Sequence, residues 1–409
     1  MSVPKHIVPL FIIILIVGLP QLSETIYTPA LPELASSLKI TDALAEYTLT
    51  TYLIGFAFGV LLWGSLSDKI GRRPGLFMGL SVYILACVGC WLSTSIESLL
   101  IMRFIQAFGA SVGSVLGQAI ARDAITPENR GKVFSKVSIA MAFAPAVGPI
   151  LGGAITQYYS WESVFIALIF LTLLIIGQIY YYLPETNLNI KANKGKKSLF
   201  TECLQKIIFD KRVFGFGFII GSVNGILFGY FAESPFYFIE SMGMNSAQYG
   251  MMAFFICFPL ALGGMISKKL HSFSYTSNEI INLGILLSTC GAVIFYTLTT
   301  LNIIVTGFSY GLIGLSLLCV SIVMTGITMI IPNSLSQALE DYGQYAGTAA
   351  SIFGFYYYLI ISGMTGLMAF LHNGSLVRLP LFFLILTGSM YAVFKVTIES
   401  RKNVKLTIN

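Results

Sequence analysis

The sequence predicts an all-α integral membrane protein: twelve transmembrane helices in two pseudo-symmetric six-helix bundles, with N- and C-termini both cytosolic. Three observations predict it. The 409 residues are 56% hydrophobic and 10% charged, where a soluble domain carries roughly 25% charged residues. Twelve apolar runs are long enough to cross the hydrocarbon core, which takes about 20 residues each. The basic residues are also sorted. With the N-terminus in the cytosol, all 24 Lys and Arg except Lys39, Arg103 and Arg378 fall on the cytosolic side. Losing or gaining one helix would destroy that asymmetry. The net charge of +6 therefore follows membrane topology and implies no nucleic-acid partner.

The first six spans cover 7–30, 46–66, 75–95, 98–121, 133–156 and 161–183. The first runs past signal-peptide length without a small-residue cleavage site, so it is a span and not a leader. It exits through Tyr27-Thr-Pro29-Ala-Leu-Pro32. The second and third are joined by the polar turn Gly64–Gly75, too charged to sit in hydrocarbon. The third contains Cys87-x-x-Cys90 in mid-run, which reads as packing and not as a redox motif; the six cysteines form no disulfide framework. The fourth opens with Arg103-Phe-Ile-Gln106-Ala-Phe-Gly109, the fifth carries Gly148-Pro149-Ile-Leu-Gly152-Gly153, and the sixth runs from Trp161 to Leu183-Pro-Glu185-Thr186. The longest polar stretch, 184–212, holds Lys191, Lys194, Lys196, Lys197, Lys206, Lys211 and Arg212. The last six spans cover 213–238, 247–267, 279–300, 303–331, 346–371 and 376–397. The expected organisation is an N-terminal bundle at 1–183, a cytosolic central loop at 184–212 and a C-terminal bundle at 213–409.

Of the eighteen acids, Glu24 and Glu233 lie well inside these spans. A charge at bilayer depth costs about 2.5–3.5 kcal/mol on insertion scales, so each is a functional candidate. They occupy equivalent helices of the two halves, and each precedes a proline-bearing exit, a faint internal repeat. Arg103 sits at a depth similar to Glu24 by the 1.5 Å rise per residue. It either pairs with Glu24 or snorkels to the outer surface.

Gly64-Ser-Leu-Ser-Asp68-Lys-Ile-Gly71-Arg72-Arg73 resembles the signature loop between the second and third helices of the major facilitator superfamily, G-x-L-[AS]-D-[KR]-x-G-[KR]-[KR]. The Arg103 segment resembles that family's R-x-x-Q-G motif, with Ala107 in place of the first glycine. Gly148-Pro149-x-x-Gly152-Gly153 resembles its antiporter motif, which points to efflux. With the exits at Pro29 and Pro32, Trp161, the Leu183–Thr186 segment and the Ala346–Ser351 opening of the eleventh span, the chain looks like the bicyclomycin-resistance (Bcr/CflA) branch of the twelve-helix drug:proton antiporters. There are departures. The branch usually places an Asp where Thr25 stands, and Glu24 is one residue, or about 100° of helix, away. Glu162 stands where Arg is common, and the second-half loop copy Gly263–Lys269 lacks the Asp.

The resemblance implies a monomeric, multi-pass transporter of the bacterial inner membrane that exchanges small amphipathic compounds for protons by alternating access. Glu24, Arg103 and Glu233 would couple protons. Burial disfavours a charged carboxylate and a nearby guanidinium favours it, so a changing separation lets one conformation bind a proton and another release it. Gly64, Asp68, Gly71, Arg72, Arg73 and Gly347 would form a conformational latch, with Asp68 either capping the start of the eleventh helix or pairing locally with Arg72. Tyr27, Gln106, Asn224, Tyr230 and Tyr357 are candidates for a substrate cavity suited to flat, apolar or cationic compounds. A dedicated exporter of one metabolite, such as a siderophore, sugar or amino acid, is the alternative. No nucleotide-binding G-x-x-x-x-G-K-[ST] loop is present, so ATP is not expected to drive transport. No cofactor, metal or enzymatic activity is expected either: the only histidines, His6, His271 and His372, lie at helix ends or in loops. No loop but 184–212 is large enough for a receptor's docking module.

Overall fold

The computed structural model describes residues 8–125, 137, 146–187 and 197–399. Every regular element among them is helical, and eleven segments are long and apolar enough to cross a membrane. Half of the fifth expected span, 133–156, falls outside the described residues, as do Lys191, Lys194, Lys196 and His6.

In the first half α1 (Leu10–Thr25) contains Pro20. The proline lacks an N–H and frees the carbonyl of Ile16. Pro29 and Pro32 then turn the chain through a tight 3-10 turn (Thr28–Ala30) into α2 (Leu31–Leu38). There follow α3 (Asp42–Ile70), α4 (Arg72–Trp91), α5 (Ile96–Ala124), α6 (146–158) and α7 (Ser163–Tyr182). The side chains of Thr41 and Ser95 cap α3 and α5, satisfying N–H groups that have no partner inside the helix.

The expected central loop contains a helix of its own, α8 (Lys197–Phe209). Its Cys203 and Ile207 are buried against the second half's core, while Lys206 and Glu202 pair on its exposed side. A span search misses this element because its apolar face is only one stripe wide. The second half comprises α9 (Lys211–Pro235), continued by a π-helical turn at Phe236–Ser241, then α10 (Ser246–Ser272), α11 (Ser277–Thr300), α12 (Tyr310–Ala338), α13 (Ala346–Leu371) and α14 (Arg378–Val393). Asn245 and Thr276 form capping boxes with Gln248 and Glu279.

The tenth span, expected at 303–331, is displaced to Tyr310–Ala338. Asn302 and Gly307 adopt positive φ and reverse the chain before the helix starts. Its polar tail stays helical because Asn333 donates to Ser267 at 2.9 Å and meets His271 at 2.8 Å, both on α10.

Each half has its own apolar core, the first around Trp161, Phe165 and Tyr83, the second around Phe216, Phe295 and Phe382. The halves meet along the antiparallel pair α3 and α13. Ser362 donates to the Thr50 carbonyl at 3.0 Å, Phe56 packs on Tyr358 and Phe58 on Phe355, and Val60 lies against Gly354. Continued along the helices, this register puts Asp68 level with the first residues of α13. There, among the described residues, nothing lies within 4 Å of where a Cβ on Gly347 would be.

Candidate functional site

The α3–α4 turn is a knot of charges within the first half. Gly71 takes φ 106 and ψ 158, a conformation open essentially to glycine. This lets the exposed N-terminus of α4 receive Glu185, whose carboxylate accepts from the backbone N–H of Arg72 at 2.9 Å and of Arg73 at 3.0 Å. Anions are favoured at a helix N-terminus. Arg72 binds Asp68 at 2.7 Å, Asp123 at 3.1 Å and the Ser67 hydroxyl at 2.6 Å. Arg73 donates to the Tyr180 carbonyl at 2.8 Å and lies over the Tyr180 and Phe77 rings. Of the two roles expected for Asp68, the local pair with Arg72 is the one formed in this conformation. No ion pair or hydrogen bond reaches Gly347 among the described residues. Gly64 has ordinary room: a methyl placed on it would stand 3.7 Å from its nearest neighbour, Val115.

A second constellation lies at mid-depth. Arg103 is fully buried, so it does not snorkel. The expected contact with Glu24 is not made either. Gln106, one turn further along α5, accepts from the guanidinium at 2.6 Å, and the rings of Tyr27 and Tyr52 cover it at 4.6 and 4.4 Å. The aromatic faces and one amide oxygen replace the carboxylate as the cation's surroundings. Glu24 is 1% exposed and neither of its oxygens has a hydrogen bond, although it stays within electrostatic range of Arg103. Tyr357 and Tyr358, from the other half, are also within electrostatic range of Glu24. The group thus straddles the junction of the halves.

The five cavity candidates divide accordingly. Tyr27 and Gln106 surround Arg103, and the Tyr357 ring lies tilted against that of Tyr358 with centroids 4.9 Å apart. Asn224 spends its amide on the Ile220 carbonyl at 2.9 Å. Tyr230 is 1% exposed in the second half's core, against Phe231.

The glycines of α6 face two ways. A methyl on Gly148 or Gly152 would overlap Thr25 or the Ile26 carbonyl of α1, next to Glu24. One on Gly153 would overlap the Ser246 carbonyl of α10, and one on Gly250 of α10 would overlap the Pro149 carbonyl. The first two bind helices within a half, and the last two bring the halves into backbone contact.

The α10 contacts lie at the closed end, where a cluster unforeseen in the sequence also sits. His372, just past α13, meets Glu233 of α9 through Nδ1 at 2.8 Å and Glu46 of α3 through the same atom at 3.1 Å. Its Nε2 faces Asp42 at 3.4 Å. Glu46 is fully buried and Glu233 nearly so. Burial alone would make His372 less basic, but the Glu233 and Glu46 carboxylates beside it outweigh this and raise its pKa to about 11. Glu46 escaped notice because α3 begins four residues earlier than its apolar run, and His372 because a helix end reads as solvated. The one available signal was the i, i+4 acid pair Asp42 and Glu46.

A family model for the Major Facilitator Superfamily matches residues 13–394. A protein of Rickettsia felis described as an uncharacterized transporter is 36% identical over 386 residues, covering 93% of this chain and 94% of the relative. A bicyclomycin resistance protein homolog of Haemophilus influenzae is 25% identical over 348 residues, covering 84% and 85%. Among solved structures, the inward-open xylose transporter XylE from E. coli superposes with a TM-score of 0.69 at 15% identity, covering 93% of this chain and 95% of that one, a likeness of fold.

Proposed function

Since the chain belongs to the major facilitator superfamily and is a multi-pass membrane transporter and not an enzyme, we propose that it exports small amphipathic compounds in exchange for protons. The observation that carries this reading is Glu24: a buried carboxyl without a hydrogen bond, in range of a buried Arg103, at the junction of the two halves. A group so placed changes its surroundings whenever the halves rock, which is what exchange of a proton for a substrate needs. The name of the Haemophilus relative and the small-residue motif of α6 support efflux as the direction.

In this reading 1–183 and 213–409 are the two bundles, 184–212 is cytosolic with both termini, and the protein works as a monomer in the bacterial inner membrane. The end that carries Asp68 and Gly347 then faces the cytosol, and the open space beside Gly347 supports a conformation open inward. The Glu46–His372–Glu233 cluster holds the outer end shut.

The test is dye efflux in inside-out vesicles, with and without an imposed pH gradient, for the wild type and Glu24→Gln. Gradient-driven transport should vanish in the variant while dye binding to the purified protein persists. Unchanged gradient-driven transport in Glu24→Gln would remove Glu24 from the mechanism and leave Glu233 as the coupling acid.

A further inference from the structure

We propose that Glu46, Glu233 and His372 form a binding site for a borderline transition-metal dication, Zn2+, that clamps the two halves at their closed end. One carboxylate oxygen from each acid and one ring nitrogen all lie within 4.8 Å of one another. Donors around a tetrahedral Zn2+ sit about 3.3 Å apart, so small movements would seat the ion. His372 directs Nδ1 at both carboxylates, at 2.8 and 3.1 Å, and turns Nε2 to Asp42 at 3.4 Å. A metal-bound imidazole held from behind by a carboxylate is the usual supporting arrangement.

Glu46 gives the independent sign of a missing cation. It is fully buried, and neither oxygen has a well-formed hydrogen bond, the shorter contact of the His372 Nδ1 going to Glu233 at 2.8 Å. Asp42, Glu46 and Glu233 all face the one imidazole of His372, so oxygen donors outnumber the groups that can satisfy them. Mixed imidazole and carboxylate donors suit Zn2+ and not Mg2+ or Ca2+, which take oxygen ligands. A narrow cleft lined by Glu233, Phe236, Glu240, His372 and Ser375 leads to the site. Glu46 belongs to α3 of the first half, and the other ligands belong to the second. Bound Zn2+ would therefore hold that end closed. The proposal does not depend on what the protein transports.

The experiment is Zn2+ binding to the purified full chain, read by competition with a chromophoric chelator. One strong site is expected in the wild type. Glu46→Gln, Glu233→Gln and His372→Ala should each weaken it at least tenfold. Asp42→Asn should weaken it by about tenfold, as for lost supporting groups. Glu46→His supplies a donor and should keep the site, which guards against variants that merely misfold. Paired spin labels at the exposed Ser36 and Asn302 should report a narrower distance distribution on adding Zn2+ to the wild type and no change in His372→Ala. No wild-type binding, or equal binding in Glu46→Gln and Glu233→Gln, would overturn the proposal and leave the cluster a proton-bridged contact.

Discussion

Replacing Gly71 by alanine should destabilise the protein by about 3 kcal/mol while touching no group assigned to protons or substrate. Two costs combine. At φ 106 and ψ 158 a side chain is strained by about 1–3 kcal/mol. The new methyl would also sit 2.6 Å from a Glu185 oxygen. To restore van der Waals contact the carboxylate must recede by about 0.7 Å, which stretches its bonds to the Arg72 and Arg73 N–H groups, now 2.9 and 3.0 Å, beyond hydrogen-bond range. Hydrogen bonds to a charged group contribute about 1.5–3 kcal/mol each, less here because Glu185 is half-buried and water can replace it. The assay is thermal unfolding in detergent followed by a thiol-reactive dye, since Cys87, Cys90, Cys203, Cys257 and Cys319 are free and buried. Glu185→Ala should cost part of the same energy, and the double variant less than the sum, because the two residues serve one contact. A Gly71→Ala melting curve that matches the wild type would refute the capping argument and return Gly71 to the latch.

Arg103→Lys should lower gradient-driven efflux at least tenfold, because an ammonium cannot lie flat between the Tyr27 and Tyr52 rings; full activity would show that charge alone suffices. Asp68→Asn should cost under about 1 kcal/mol in stability, its side chain being 46% exposed, yet should raise cytosolic labelling of a cysteine placed at Val60. Unchanged labelling with normal efflux would remove the latch from the mechanism. Gly250→Ala should push α10 off the Pro149 carbonyl and loosen the closed end by about 1–3 kcal/mol, a roughly 5- to 150-fold shift between conformations. Spin-label distances across that end that match the wild type would contradict it.

Some of this protein was settled by composition and pattern. A bilayer of fixed thickness demands long apolar helices, so eleven of the twelve expected spans appear as helices among the described residues, and half of the fifth lies outside them. The signature loop was legible because a short charged turn between two spans must be aqueous, and Gly71, Arg72 and Arg73 do form a dense turn. Helix ends were less legible. Residues such as Asp42 to Ala45 and Pro332 to Ala338 are helical beyond the apolar run, where water or partner helices satisfy them.

What only the tertiary structure decided is which polar groups meet. Hydropathy places Arg103 at the depth of Glu24, but the rotation of α1 against α5 gives the guanidinium to Gln106 and two tyrosines. The same holds for His372 and Glu233, which are 139 residues apart and meet Glu46 where α3, α9 and the end of α13 converge. Periodicity states how deep a residue lies and on which face of its own helix. Whether a charge there is solvated, paired or left alone depends on the helix packed over it, and that is a property of the assembled bundle.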